Sequence, residues 1–192
     1  MTGRTALIVI DMLNPYDHEH ADVLVEDVAR IVPAVARLVA AAGDAELVYV
    51  NDNYEDFAAS RGDIVQRALD GRRPDLIEPI IPPADAAFLH KARHSAFYGT
   101  ALDHLLRERD IATLVLTGQV TEQCILYTAL DAYIRGYDIR VPRDAVAHID
   151  EQLGHAALAM MERNMQVDLV STADLEAAPR AQSPGRAARS SP

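Results

Sequence analysis

One cysteine occurs among the 192 residues, and its surroundings suit a reactive thiol. Cys124 closes the segment Leu114-Val115-Leu116-Thr117-Gly118-Gln119-Val120-Thr121-Glu122-Gln123-Cys124. That segment reads as a buried strand, a glycine turn and the first turn of a helix. Unpaired N–H groups and the positive end of the helix dipole favour an anion there, so the expectation is a nucleophilic Cys124 held as thiolate. A thiol that attacks a carbonyl needs a group to take its proton and later hand it to a leaving group. Asp11, directly after the apolar run Ala6-Leu7-Ile8-Val9-Ile10, is of the right type. Lys91, after the short run Ala86-Ala87-Phe88-Leu89-His90, would favour the thiolate and hold the carboxylate. Each has a plainer reading. Asp11 also fits a turn that continues through Asn14-Pro15-Tyr16-Asp17. Lys91 also fits a solvated basic edge with Arg93 and His94, and Cys124 a small buried hydrophobe.

The elements that must position these residues alternate along the chain. Continuous β-branched or apolar runs mark strands covered on both faces: Ala6–Ile10, Glu46–Val50, Ala86–His90, Ile111–Leu116, Asp138–Val141 and Val167–Val170. Helical patterns fall between them. The first runs from about Asp22 to Ala42, with a kink or restart expected at Pro33 and a stop at Gly43. Others cover Thr100–Asp110 and Glu151–Arg163, and a helix capped by Thr121 carries the stripe Ile125, Leu126, Ala129, Leu130 and Tyr133. Strand and helix in alternation imply an α/β fold, a three-layer α/β/α doubly wound domain on a mainly parallel sheet of six strands. The Asn51–Pro83 stretch is irregular, with a possible short helix at Asp63–Leu69, and lies where such folds place substrate-covering elements. The domain is read as residues 1–175. Residues 176–192, rich in Ala, Pro, Arg and Ser, read as a disordered tail.

Composition narrows the partners. A net charge of −11 makes nucleic acid and anionic membrane surfaces poor candidates, so no nucleic acid and no membrane partner is expected. A single cysteine allows no internal disulfide and suits a reducing, cytoplasmic setting. No signal-peptide pattern is seen at the N-terminus, and no apolar stretch is long enough to span a bilayer.

Three motifs in this order, Val9-Ile10-Asp11-Met12-Leu13-Asn14, then Lys91 with its flanks, then Thr117-Gly118-Gln119-Val120-Thr121-Glu122-Gln123-Cys124, resemble those of the isochorismatase-like cysteine hydrolase superfamily. That superfamily includes nicotinamidases, N-carbamoylsarcosine amidohydrolases and ureidoacrylate amidohydrolases, and the resemblance covers roughly Ala6 to Val170. It implies sheet order 3-2-1-4-5-6 and a triad of Asp11 (general base and acid), Lys91 (electrostatic orienter) and Cys124 (nucleophile). It also implies an oxyanion hole from the backbone N–H groups of Val120 and Cys124, with a cis peptide at Gln119–Val120, and a homo-oligomer.

The chain departs from its nicotinamidase relatives at their metal site, an Asp-x-His after the second strand. The matching place reads Asn51-Asp52-Asn53-Tyr54, and no histidine lies between His20 and His90. One carboxylate cannot hold a borderline metal, so neither a metal nor another cofactor is expected. Asn14, Tyr16, Phe57, Phe97, Tyr98 and Tyr127 are candidates to line a substrate pocket, and Asn14 to brace the loop at Asp11. The resulting reading is a metal-independent cysteine amidohydrolase acting on a small-molecule amide, carbamoyl or ureido substrate. Vinyl ether hydrolysis, and a non-catalytic binding role on the same fold, are the alternatives.

Overall fold

Leu7 and Val9 of the first strand face one helical layer, and Ala6, Ile8 and Ile10 face the other. This is the period-2 alternation of a strand with no solvated side. The computed structural model describes residues 4–43 and 45–177. Its strands are β1 (Arg4–Ile10), β2 (Glu46–Asp52), β3 (Ala87–Lys91), β4 (Ile111–Gln119), β5 (Asp138–Pro142), β6 (Val146–Ala147) and β7 (Asp168–Val170). The helices are α1 (Ala21–Ala41), α2 (Arg61–Leu69), α3 (Pro74–Ile77), α4 (Leu102–Glu108), α5 (Leu126–Ile134), α6 (Glu151–Met165) and α7 (Thr172–Ala177).

The main path of the sheet runs β3-β2-β1-β4-β5-β7, with every pair parallel. The doubly wound α/β expectation holds, and so does the order of the six expected strands. The last of them is β7 because the two-residue β6 precedes it and pairs with the end of β4. Two residues are too few to show periodicity. One core layer joins the even face of β1 to Leu102 and Leu106 of α4, Ile125 and Ala129 near the cysteine, and Met161 of α6. The other joins its odd face to Val28, Val32 and Val35 of α1 and to Ile77 and Ile80. Burying one such aliphatic side chain contributes about 1.5–3 kcal/mol.

Three local expectations change. The first helix runs unbroken through Pro33. Pro33 and Ala29 are both exposed, so the carbonyl that loses its partner lies on the solvent side. The helix after Cys124 is rotated relative to its expected stripe: Leu130 and Tyr133 are exposed, while Thr128 and Ala132 are buried. A π-turn over Thr121–Ile125 precedes it, with Ile125 N–H donating to the Val120 carbonyl, and this wider turn shifts the phase of everything after it. Thr128 is buried without penalty because its hydroxyl accepts the Ala96 N–H at 2.9 Å. Finally, Glu176 and Ala177 belong to α7, where Glu176 pairs with Arg37 at 3.4 Å. The remainder of the expected tail, 178–192, lies outside the described residues. No described helix is long and apolar enough to cross a membrane.

Candidate active site

The carboxyl ends of β1, β3 and β4 converge, and with them Asp11, Lys91 and Cys124. Gly118 makes the approach possible. It has φ +115°, and a Cβ there would stand 2.1 Å from the Ile10 carbonyl oxygen, so only glycine lets the end of β4 lie against the end of β1. Beyond it the Gln119–Val120 peptide is cis and the chain enters the π-turn bearing Cys124.

Asp11 follows β1 with φ +53°, a left-handed conformation that an L-residue adopts only when held. It is held on all sides. Its N–H donates to the Val50 carbonyl at 3.0 Å, and its own carbonyl accepts Gln119 Nε2 at 2.6 Å. Oδ1 accepts the Asp52 N–H at 2.8 Å, and Oδ2 lies 2.8 Å from Lys91 Nζ. Lys91 Nζ also donates to Cys124 Sγ at 3.7 Å and lies 3.9 Å from Asp52 Oδ2. All three groups are buried, so the solvated basic edge does not describe Lys91.

Burial pushes the Asp11 carboxyl up, against the opposing pull of Lys91. Burial pulls Lys91 down, but the charge of Asp11, and then of Cys124, outweighs it and the net direction is upward. For Cys124, burial and then the Asp11 charge push the thiol up, against Lys91 and the Val120 N–H, which favour the anion. Burial and the neighbouring carboxylate thus oppose the resting thiolate that the helix-end argument suggests, an argument that accounts only for the backbone donor. The thiol and the carboxylate both lie beside the Lys91 ammonium.

The aromatic candidates separate. Phe57, 83% exposed, and Tyr98, 64% exposed, line a cavity of about 300 Å³ together with Lys91, Asn53 and His90. That volume suits a small molecule. Tyr16 is fully buried in the core and cannot line a pocket, and Phe97 is buried and stacked on Tyr137 at 6.1 Å between centroids. Both are corrected to packing residues. Tyr127 points outward on α5 against the ring of His94. Asn14 braces the loop, its Oδ1 accepting the Tyr16 N–H at 2.8 Å. A larger groove of about 670 Å³ near Pro15, Asp63 and Arg72 has none of the three converging groups in its walls.

Several positioning residues escape a reading of sequence. Asn51 clamps the loop after β1: Oδ1 accepts the Leu13 N–H at 3.0 Å and Nδ2 donates to the Leu13 carbonyl at 3.1 Å. The Tyr54 hydroxyl donates to that same carbonyl at 2.6 Å. Thr121, expected as a helix cap, instead donates its Oγ1 proton to the Ala147 carbonyl of β6, and Glu122 Oε1 accepts the N–H groups of Ile149 and Asp150, tying the π-turn to β6 and the chain beyond it. The polar run Asn51-Asp52-Asn53 directly after an apolar strand is the one signal that points toward the clamp. The same engagements bear on metal binding at this position. Asn51 is committed to Leu13, Asn53 Oδ1 accepts the Glu55 N–H, and Asp52 Oδ1 accepts the Tyr54 N–H with its other oxygen turned toward Lys91. This donor set does not fit a zinc-like ion.

A family model described as an isochorismatase domain matches residues 5–174. The chain is 34% identical over 168 residues to the uncharacterized isochorismatase family protein YaaI of Bacillus subtilis, covering 86% of this chain and 93% of that protein. It is 32% identical over 162 residues to the ureidoacrylate amidohydrolase RutB of Methylorubrum extorquens, 69% of this chain and 65% of RutB. Its fold is similar to that of N-carbamoylsarcosine amidase from Thermoplasma acidophilum, with TM-score 0.66, 30% identity, and coverage of 88% and 96%.

Proposed function

Because the chain belongs to the isochorismatase family and is a hydrolase, we propose that it is a metal-independent cysteine amidohydrolase that cleaves a C–N bond of a small amide, carbamoyl or ureido substrate. The observation that carries the reading is Lys91 Nζ, 2.8 Å from Asp11 and 3.7 Å from Cys124, in a buried site. The names of two relatives, an amidohydrolase and an amidase, support the choice of bond.

In this reading Cys124 Sγ attacks the substrate carbonyl carbon while Asp11 takes the thiol proton. The carbonyl π pair moves onto oxygen, where the Val120 and Cys124 N–H groups stabilise it. The C–N bond then breaks as the pair returns, and the leaving nitrogen takes the proton from Asp11. A water attacks the thioester with Asp11 again as base, the C–S bond breaks, and the sulfur recovers the proton. Lys91 stays protonated throughout and balances whichever of the two acids is ionised. A thiol pushed up by burial and by Asp11 fits this scheme, since proton transfer to Asp11 accompanies attack.

The test is ammonia release from a panel of small amides, carbamoyl amino acids and ureido acids, with the wild type and Cys124→Ala, each with and without a chelator. The expected result is activity that disappears with the thiol and ignores the chelator. Full hydrolysis by Cys124→Ala would overturn the mechanism. Pyruvate in place of ammonia, from an isochorismate-type substrate, would replace it with vinyl ether hydrolysis.

A further inference from the structure

Phe57, at 83% the most exposed large apolar side chain among the described residues, stands in the wall of the cavity that reaches Lys91, and the exposed Tyr98 stands there too. Rings left in water at the mouth of a cavity are a surface for an apolar body to cover. The charged groups around this cavity are already engaged. Lys91 faces two carboxylates, Asp11 Oδ2 at 2.8 Å and Asp52 Oδ2 at 3.9 Å. Asp56 is the one carboxylate in the wall, and its Oδ1 accepts the Ala58 N–H at 3.0 Å. The His90 ring stands edge-on to Phe88, with centroids 5.1 Å apart. Arg93 lies outside the wall, its Nη1 donating to the Ala92 carbonyl at 2.8 Å. The cavity therefore offers an incoming anion no permanent cation that is not already paired.

Asn53 is the polar group of this wall with something left to give. It is only 5% exposed. Its Oδ1 accepts the Glu55 N–H at 3.1 Å, which fixes the direction of the amide. Its Nδ2 makes no hydrogen bond among the described residues and is not sealed from solvent. A nearly buried donor in a cavity wall is satisfied by what enters the cavity.

We infer that the cavity selects an uncharged amide whose acyl part is apolar and carries a second hydrogen-bond acceptor, with Phe57 covering the apolar part and Asn53 Nδ2 donating to the acceptor. The inference rests on the proposed amide hydrolysis at Cys124 and narrows its substrate. It disfavours carbamoyl amino acids and ureido acids, which carry a carboxylate. That group would leave water for a place near Asp56 and Asp11 with no cation of its own. An uncharged acyl part meets no such cost and gains by covering the rings.

Four amides test the parts separately: succinamate, methyl succinamate, benzyl succinamate and hexanamide. Against the methyl ester, the first adds a charge, the third adds a ring, and the fourth removes the acceptor at matched length. Ammonia release is measured at about pH 8.5, where imidazole is uncharged, for the full chain as wild type, Asn53→Ala, Phe57→Ala and Cys124→Ala. The kcat/KM for methyl succinamate is expected to exceed that for succinamate by about tenfold or more, and that for hexanamide by about fivefold. Benzyl succinamate should exceed the methyl ester. Asn53→Ala should erase the advantage over hexanamide, and Phe57→Ala the advantage of the benzyl ester, as ratios that cancel any general loss of stability. Succinamate cleaved as well as its methyl ester would overturn the inference, and a ratio unmoved in its variant would overturn the role given to that residue. Release that survives Cys124→Ala would instead overturn the proposed mechanism. If none of the four is cleaved, the same four groups on the nitrogen of iodoacetamide are compared as alkylators of Cys124, the only thiol, each relative to the urea-unfolded chain. The same order supports the inference, and a carboxylate reagent as fast as its ester ends it. Should Asn53→Ala fail to fold, the wild-type ratios and the exposed Phe57→Ala decide.

Discussion

Asp11 and Asp27 are carboxylates of nearly equal burial, 8% and 7% exposed, and their surroundings differ in an instructive way. Each accepts one backbone N–H, from Asp52 at 2.8 Å and from His148 at 2.7 Å. Each also has nitrogen-bearing side chains beside it, Lys91 for Asp11, and Arg30 and His148 Nδ1 for Asp27. Asp27 sits inside α1 and ties that helix to the chain beyond β6. Asp11 stands at a strand end in a left-handed conformation with a thiol in front of it. Burial and pairing are common to both, so neither identifies a reactive carboxylate. Placement at the carboxyl edge of the sheet, facing a nucleophile, makes the difference.

The sharpest break in the comparison is kinetic. Asp11→Asn is expected to lower kcat on a substrate found in the panel by about 10³-fold, within the range for loss of a general base. Asp27→Asn, measured in the same assay, should stay within about threefold. Equal losses would show that the two carboxylates serve one network. The cations provide the next test. Lys91→Met leaves Asp11 buried beside no cation and should cost about 3–5 kcal/mol in urea unfolding. Arg30→Ala removes a partner whose side chain is 70% exposed and should cost under about 1 kcal/mol. Asp27→Asn should then cost about 1–3 kcal/mol, the range for leaving buried donors without their acceptor.

A smaller effect appears at alkaline pH. Burial and Asp11 raise the Cys124 thiol in the fold, so the folded state keeps that proton to higher pH than the unfolded chain. The resulting stabilisation is complete below the ordinary thiol value of 9.0 and is lost as pH rises beyond it. Unfolding free energy should fall above that pH by up to about 1.4 kcal/mol per unit from this group, and Cys124→Ala should remove that part of the slope. An identical slope in the variant would assign the whole effect to other groups, among them Lys91, which is raised in the same direction.

The legible parts of the molecule are those with local causes. Runs such as Ala6–Ile10 and Ile111–Leu116 announce strands because a strand covered on both faces has no polar position to spare. Asp11, Lys91 and Cys124 could be picked out because each follows such a run or opens a helix, and the structure brings all three together. Val146–Ala147 was invisible because a pairing of two residues leaves no pattern. The phase of α5 is not legible because a π-turn, which no propensity announces, comes before it. Aromatic type alone does not separate Tyr16 and Phe97 from Phe57 and Tyr98, since it says nothing of which side of a loop faces water.

The sequence by itself determined the doubly wound α/β framework, its strand order through resemblance, and the residue types at the site. The framework follows from hydrophobic period and the site's residue types from identity, both properties of neighbours along the chain, while the strand order is what the resemblance implies. Only the tertiary structure decided that burial and Asp11 push the Cys124 thiol up, that Asn51-Asp52-Asn53 is a clamp, and that Gln119 reaches across 108 residues to hold Asp11. Desolvation, charge and hydrogen bonding act through space. Their sum at any one group depends on which distant segments the fold has set around it.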